Sequence, residues 1–143
     1  MENYIHKVAY YETDKMGVTH HSNYIRWMEE ARVDFLDKIG FSYKKLEDMG
    51  AVSPVIGVEC EYKFSTQFDD VVEIQVEVYE FKGVKLAFKY TMTNVATGKL
   101  VAVGKTKHCF LNQENKPIIL KKEFPELAEK LAELATKDTK KSL

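Results

Sequence analysis

Asp14, His20 and His21 stand within eight residues, and the run behind them, Ser22-Asn23-Tyr24-Ile25-Arg26-Trp27-Met28-Glu29-Glu30-Ala31, has the apolar spacing of a buried helix. A carboxylate can attack an electrophilic carbon or deprotonate water, and an imidazole titrates near neutrality and can orient or move a proton. Backbone N–H groups in a helix's first turn have no intrahelical partners and sit at the positive end of its dipole. They stabilise negative charge that develops on a carbonyl oxygen. A carboxylate and an oxyanion site together are two ingredients of acyl transfer. The same residues admit other readings: Asp14 as a turn or capping carboxylate, His21 as a helix-start residue with a solvated imidazole, and the three together as metal ligands. Neighbouring histidines seldom point at one ion and no third histidine has ligand spacing, so no metal site is expected. The His21 imidazole, titrating near neutrality, can orient Asp14 or a water.

The elements that must hold this loop follow from periodicity. Tyr4 to Tyr10 contains β-formers and reads as a first strand, followed by a loop from Tyr11 to His21. From Asn23 to Ile39, apolar residues recur at Tyr24, Trp27, Met28, Ala31, Phe35 and Ile39, which gives one wide buried face. Ser22 is placed to cap this helix and Gly40 to end it in a left-handed turn. At ~1.5 Å per residue it spans about 25 Å, and its stripe calls for a sheet as partner. Tyr43 to Met49 suggests a second short helix closed by Gly50.

Val52 to Phe64 reads as one long or bent strand, with Pro54 and Gly57 at edge or bulge positions. Val72, Ile74, Val76 and Val78 then alternate with Glu73, Gln75 and Glu77, and Leu86, Phe88, Tyr90 and Met92 alternate again beyond a turn at Lys82-Gly83. After Ala96-Thr97-Gly98-Lys99, a last strand from Leu100 to Leu111 places the small residues Ala102, Gly104 and Thr106 on one face, where a helix can approach. Phe124 to Leu134 suggests a C-terminal helix. The expected fold class is α+β, a five-stranded antiparallel sheet wrapped around one long helix. An exposed sheet edge in such a fold invites oligomerisation.

The 143 residues suit one domain, residues 1–135, with a polar, Lys-rich tail over 136–143 that is expected to fray. With 45% hydrophobic and 30% charged residues the body is not disordered, and 21 basic against 22 acidic residues create no field for nucleic acid. No stretch approaches the ~20 apolar residues of a membrane span, and the start lacks a basic and then apolar leader, so the cytoplasm is the expected location. Cys60 and Cys109 have no Cys-x-x-Cys spacing and read as buried thiols. His6 and His108 read as strand histidines.

Tyr10-Tyr11-Glu12-Thr13-Asp14, then Gly17-Val18, Asn23-Tyr24, Arg26-Trp27 and Ala31-Arg32 resemble the signature of hot-dog-fold acyl-CoA thioesterases. More narrowly, the pattern is similar to the 4-hydroxybenzoyl-CoA thioesterase family and its Tol-Pal-linked short-chain acyl-CoA thioesterase branch; Phe68-Asp69-Asp70-Val71 also matches, and the likeness in element order covers residues 4 to 112. The resemblance implies hydrolysis of an acyl-CoA to free acid and coenzyme A, with Asp14 as nucleophile or general base. It implies that the His21 N–H polarises the carbonyl, with Tyr10 and the His21 side chain accompanying Asp14. Coenzyme A is then part of the substrate, no separate cofactor is needed, and a homo-oligomer, dimer or homotetramer, is expected with sites between subunits. Lys63, Lys82, Lys85, Lys89, Lys105 and Lys107 are candidates for the phosphates of coenzyme A. The chain departs from the pattern at Glu12, where the branch has aspartate, at Met16, where it has a small residue, and at Ser65, where it has proline. Rival readings are an acyl-carrier-protein thioesterase, a hot-dog dehydratase or hydratase, and a non-catalytic acyl-CoA-binding protein. The dehydratase spacing, Asp-x4-His, is absent, since six residues separate Asp14 from His21.

Overall fold

The computed structural model describes residues 1–137. Strand β1 (Tyr4–Lys7) leads through a short 3-10 turn (Tyr10–Glu12) and a loop into the long helix α1 (Ser22–Lys38), followed by α2 (Tyr43–Asp48), β2 (Val55–Tyr62), β3 (Val71–Phe81), β4 (Lys85–Asn94), β5 (Leu100–Cys109), α3 (Leu120–Glu123) and α4 (Pro125–Leu134). The strands form one antiparallel sheet in the order β1-β3-β4-β5-β2. Hairpins join β3, β4 and β5, whereas the chain crosses from β2 at one edge to β3 near the other. Among the described residues no helix is long and apolar enough to cross a membrane.

The expected helix and sheet period hold closely. Trp27, Met28, Ala31, Phe35 and Leu36 of α1 are buried against Ile74, Phe88, Tyr90, Met92 and Ala102 of the sheet. Gly104 makes the close approach possible: a Cβ there would collide with the Met28 sulfur. The helix ends as its sequence requires. Gly40 takes φ +94°, which a side chain would resist, and the Phe41 N–H reaches back to the Leu36 carbonyl.

Four expectations are corrected. The first strand stops at Lys7, because residues 10–12 turn so that Glu12 can enter the core. The long strand from Val52 is shorter, Val55–Tyr62, with a register shift between Val55 and Gly57, and Val52 makes only an isolated bridge to Leu111. Cys60 and Cys109 are free but only half-buried. Thr136 and Lys137, expected to fray, run on beside β3: their N–H groups donate to the Val78 and Tyr79 carbonyls at 2.8 Å each, and the Lys137 ammonium meets Glu80 at 2.7 Å. The rest of the Lys-rich tail, residues 138–143, lies outside the described residues.

Candidate active site

The loop that carries Asp14 is a small closed structure. Gly17, at φ +80°, reverses the chain, the Asp14 N–H donates to the Val18 carbonyl (2.8 Å), and the Gly17 N–H donates to the Asp14 carbonyl (3.0 Å). Thr13 bridges to Thr19, and Val18 bridges to Gln67 in the connection between β2 and β3. The Thr19 N–H donates to the Thr66 carbonyl at 2.8 Å, which ties the loop to that connection. Asp14 is therefore presented by a braced turn. Its half-buried carboxylate accepts the Met16 N–H at Oδ1 (2.8 Å), and Oδ2 has no protein partner among the described residues.

At the start of α1 the expected serine cap does not form. His20 closes the end instead: its carbonyl accepts the Asn23 N–H (3.0 Å), its Nδ1 accepts the Ser22 N–H (3.2 Å), and the Ser22 hydroxyl bonds to the same Nδ1 (2.9 Å). Hydroxyl and imidazole satisfy one another, so Ser22 is not free to cap. The His21 N–H has no acceptor among the described residues, as an oxyanion donor requires. The exposed His21 imidazole stacks on His20 with ring centres 4.3 Å apart and meets the Tyr62 ring edge-on at 6.4 Å.

Glu12, in sequence only a departure from the family pattern, joins loop to helix. It is 4% exposed; Oε1 accepts the Ala9 N–H and His6 Nε2 (2.8 Å each), and Oε2 accepts the indole N–H of Trp27 (2.7 Å). Burial pushes its carboxyl up, but the hydrogen bonds from Ala9, Trp27 and His6 outweigh that and leave it below the usual carboxylate value. The Glu12 carbonyl meanwhile accepts the His20 N–H (2.8 Å) and the Asn23 amide (3.0 Å), so one residue fixes both ends of the Asp14 loop. His6 continues the network to Glu30 (3.2 Å), which also accepts the Tyr4 hydroxyl (3.0 Å). Burial and Glu30 push that phenol up to about 12.

Among the three candidate residues, Asp14 and His21 flank one loop, but no hydrogen bond joins their side chains or links either to Tyr10 among the described residues. Tyr10 sits on the 3-10 turn rather than on a strand, 75% exposed, with its ring edge against Phe68 at 5.6 Å. Tyr11, Met16, Phe64 and Phe68 are exposed as well, so the loop is surrounded by uncovered apolar surface. The lysine candidates do not converge on it. Lys85, Lys89, Lys105 and Lys107 lie on the sheet face turned away from α1, Lys89 and Lys105 both approach the Tyr79 ring, and Lys63 and Lys82 pair with Glu61 and Glu80. Among the described residues no group of three His, Cys, Asp or Glu side chains is gathered as a metal site would need.

A sheet wrapped around one long helix, with a carboxylate loop feeding the helix N-terminus, defines the hot-dog class of thioester hydrolases. The chain belongs to the thioesterase-like superfamily, whose model matches residues 8–134. It is 38% identical over 126 residues to the "Putative esterase" of Aquifex aeolicus, covering 87% of this chain and 94% of that one. It is 32% identical over 121 residues to the "Putative acyl-CoA thioesterase YneP" of Bacillus subtilis, covering 84% and 87%. Among solved structures it is similar to a DHNA-CoA thioesterase from Staphylococcus aureus, with TM-score 0.87 and 34% identity over 92% of this chain and 89% of that one.

Proposed function

We propose that the protein hydrolyses acyl-CoA thioesters to the free carboxylic acid and coenzyme A, without a separate cofactor. The observation that carries this reading is the braced Asp14 carboxylate, one oxygen unpartnered, on the loop that delivers an unpartnered His21 N–H to the start of α1. In the reaction the thioester oxygen points at the His21 N–H while Asp14 either attacks the carbonyl carbon or takes a proton from the water that does. Where Asp14 is the base, the C–S bond breaks as the attacking water's proton passes through the carboxylate to the departing thiolate; where it is the nucleophile, C–S cleavage leaves a mixed anhydride on Asp14, which water hydrolyses to the free acid while the thiolate takes the proton that water releases. One such donor is typically worth ~2.7–4 kcal/mol in the transition state, so the backbone at position 21 matters more than its imidazole. In this reading Tyr10 and the His21 side chain accompany Asp14.

The apolar surface around the loop and the unpaired edge of β2 support a homo-oligomer in which a second copy completes the substrate pocket. The names of the relatives in Bacillus subtilis and Staphylococcus aureus point to coenzyme A thioesters. A thiol-release assay over short, long and aromatic acyl-CoAs tests the proposal. Asp14→Ala and Asp14→Asn should each abolish most turnover and His21→Ala should be milder; an Asp14→Ala variant that turns over at the wild-type rate would refute the mechanism.

A further inference from the structure

Far from Asp14, a cavity of about 320 Å³ opens between the C-terminal half of α1, α2, strands β4 and β5, and α4. Its wall is apolar, with Leu36, Leu86, Phe88, Phe110, Leu127 and Leu131. Arg32 also lines it, ten residues into α1 from Ser22 and therefore roughly 15 Å from the end where Asp14 lies.

Arg32 is 6% exposed and always charged, yet among the described residues it makes no ion pair. It donates to two neutral hydroxyls, Tyr90 at 3.0 Å through Nη1 and Tyr43 at 3.4 Å through Nε. Nη2 has no protein acceptor among the described residues, and it is not sealed in the core, because no buried side-chain nitrogen or oxygen there lacks a partner. A buried cation without a counter-charge is costly, and the fork of a guanidinium matches a carboxylate. The other ionisable groups at the cavity do not supply the charge. His108 is buried and bonds to the Thr106 hydroxyl, and burial together with the Arg32 charge pushes it down to about 4, so it is neutral. Glu47 lies exposed on the rim, beyond ion-pair distance of Arg32.

We infer that this cavity is a second binding site, for a free carboxylic acid with a compact apolar body, whose carboxylate pairs with Arg32 while its hydrocarbon packs on the walls. A phosphate-bearing ligand does not fit, since among the described residues no second cation lines the cavity. The inference does not rest on the proposed hydrolysis, although the acid released by that reaction belongs to the same chemical class. Acid made on the enzyme and acid supplied from elsewhere would occupy the site alike.

Calorimetric titration without any thioester tests the site apart from the activity, with octanoate as the probe and octan-1-ol as its uncharged counterpart. Octanoate should bind once per chain and at least tenfold tighter than the alcohol. Arg32→Met should still bind the alcohol but lose that preference, and Asp14→Asn should keep it. Ser53→Trp, placed on the cavity wall, should lose both ligands with its circular dichroism unchanged, and it decides the matter if Arg32→Met does not fold. Absence of saturable octanoate binding, equal affinity for the two probes, a preference that survives Arg32→Met, one lost with Asp14→Asn, or octanoate binding unchanged in Ser53→Trp would each overturn the inference.

Discussion

Replacing Glu12 by glutamine exchanges one carboxylate oxygen for an NH2 at the junction of loop and helix, and its cost follows from the contacts. The carboxylate accepts three hydrogen bonds of 2.7–2.8 Å, from the Ala9 N–H and His6 at one oxygen and from the Trp27 indole at the other. An amide has one accepting oxygen. If it stays with Ala9 and His6, its NH2 faces the Trp27 N–H, and the flipped amide faces the other two donors instead. Leaving a buried donor unsatisfied costs about 1–3 kcal/mol, and loss of the charge weakens the bonds that remain, so the total should reach about 2–4 kcal/mol. For a domain of this size that lowers the melting temperature by roughly 6–16 °C. Trp27, the sole tryptophan, sits at the perturbed contact, so urea unfolding followed by its fluorescence reports the loss directly. The pH dependence has a definite sign. Because the Glu12 carboxyl is held below its ordinary value of 4.5, its stabilisation is complete above that value and disappears as pH falls through the lowered folded value. The gap between wild type and Glu12→Gln should therefore narrow as pH falls below 4.5 and close once it passes the lowered folded value. A cost under ~0.5 kcal/mol at pH 7, or a gap that persists in acid, would refute the reasoning.

Gly104→Ala should cost about 1–3 kcal/mol through collision with Met28, and in a double-mutant cycle with Met28→Ala the two costs should fall short of additive. His108, held down to about 4 in the fold, binds a proton more readily when unfolded, so stability should drop as pH falls from about 6.5 towards 4, by up to ~3 kcal/mol; urea midpoints of wild type and His108→Phe across that range measure it. If β2 pairs with a second copy, Ile56→Lys, on the exposed strand, should lower the mass found by light scattering and reduce turnover with it; an assembly of unchanged mass would place the contact elsewhere.

Helix α1 was legible almost to the residue, because a 3.6-residue apolar period, a glycine at its end and no internal proline agree on one answer. Strands β3, β4 and β5 were legible for the same reason, their side chains alternating between core and water. The strand from Val52 misled because β2, at the sheet edge, is mostly exposed and has no buried face to enforce a period, and its start is marked by a register shift between Val55 and Gly57. Asp14 and the start of the helix behind it could be placed beside one another from the sequence, since both belong to one short segment. Glu12 could not be ranked, because its donors come from three separate places: a strand, a turn and a helix.

The amino-acid sequence alone determined the helix, the alternating strands and the carboxylate ahead of the helix start, all features encoded within a few neighbouring residues. Tertiary structure decided which polar groups are satisfied and which are left open. Folding gave Glu12 three donors, turned Ser22 from a cap into a partner of His20, and left Arg32 buried beside a cavity with no counter-charge among the described residues. Burial and hydrogen-bond balance depend on residues far apart in the chain, and only packing brings those together.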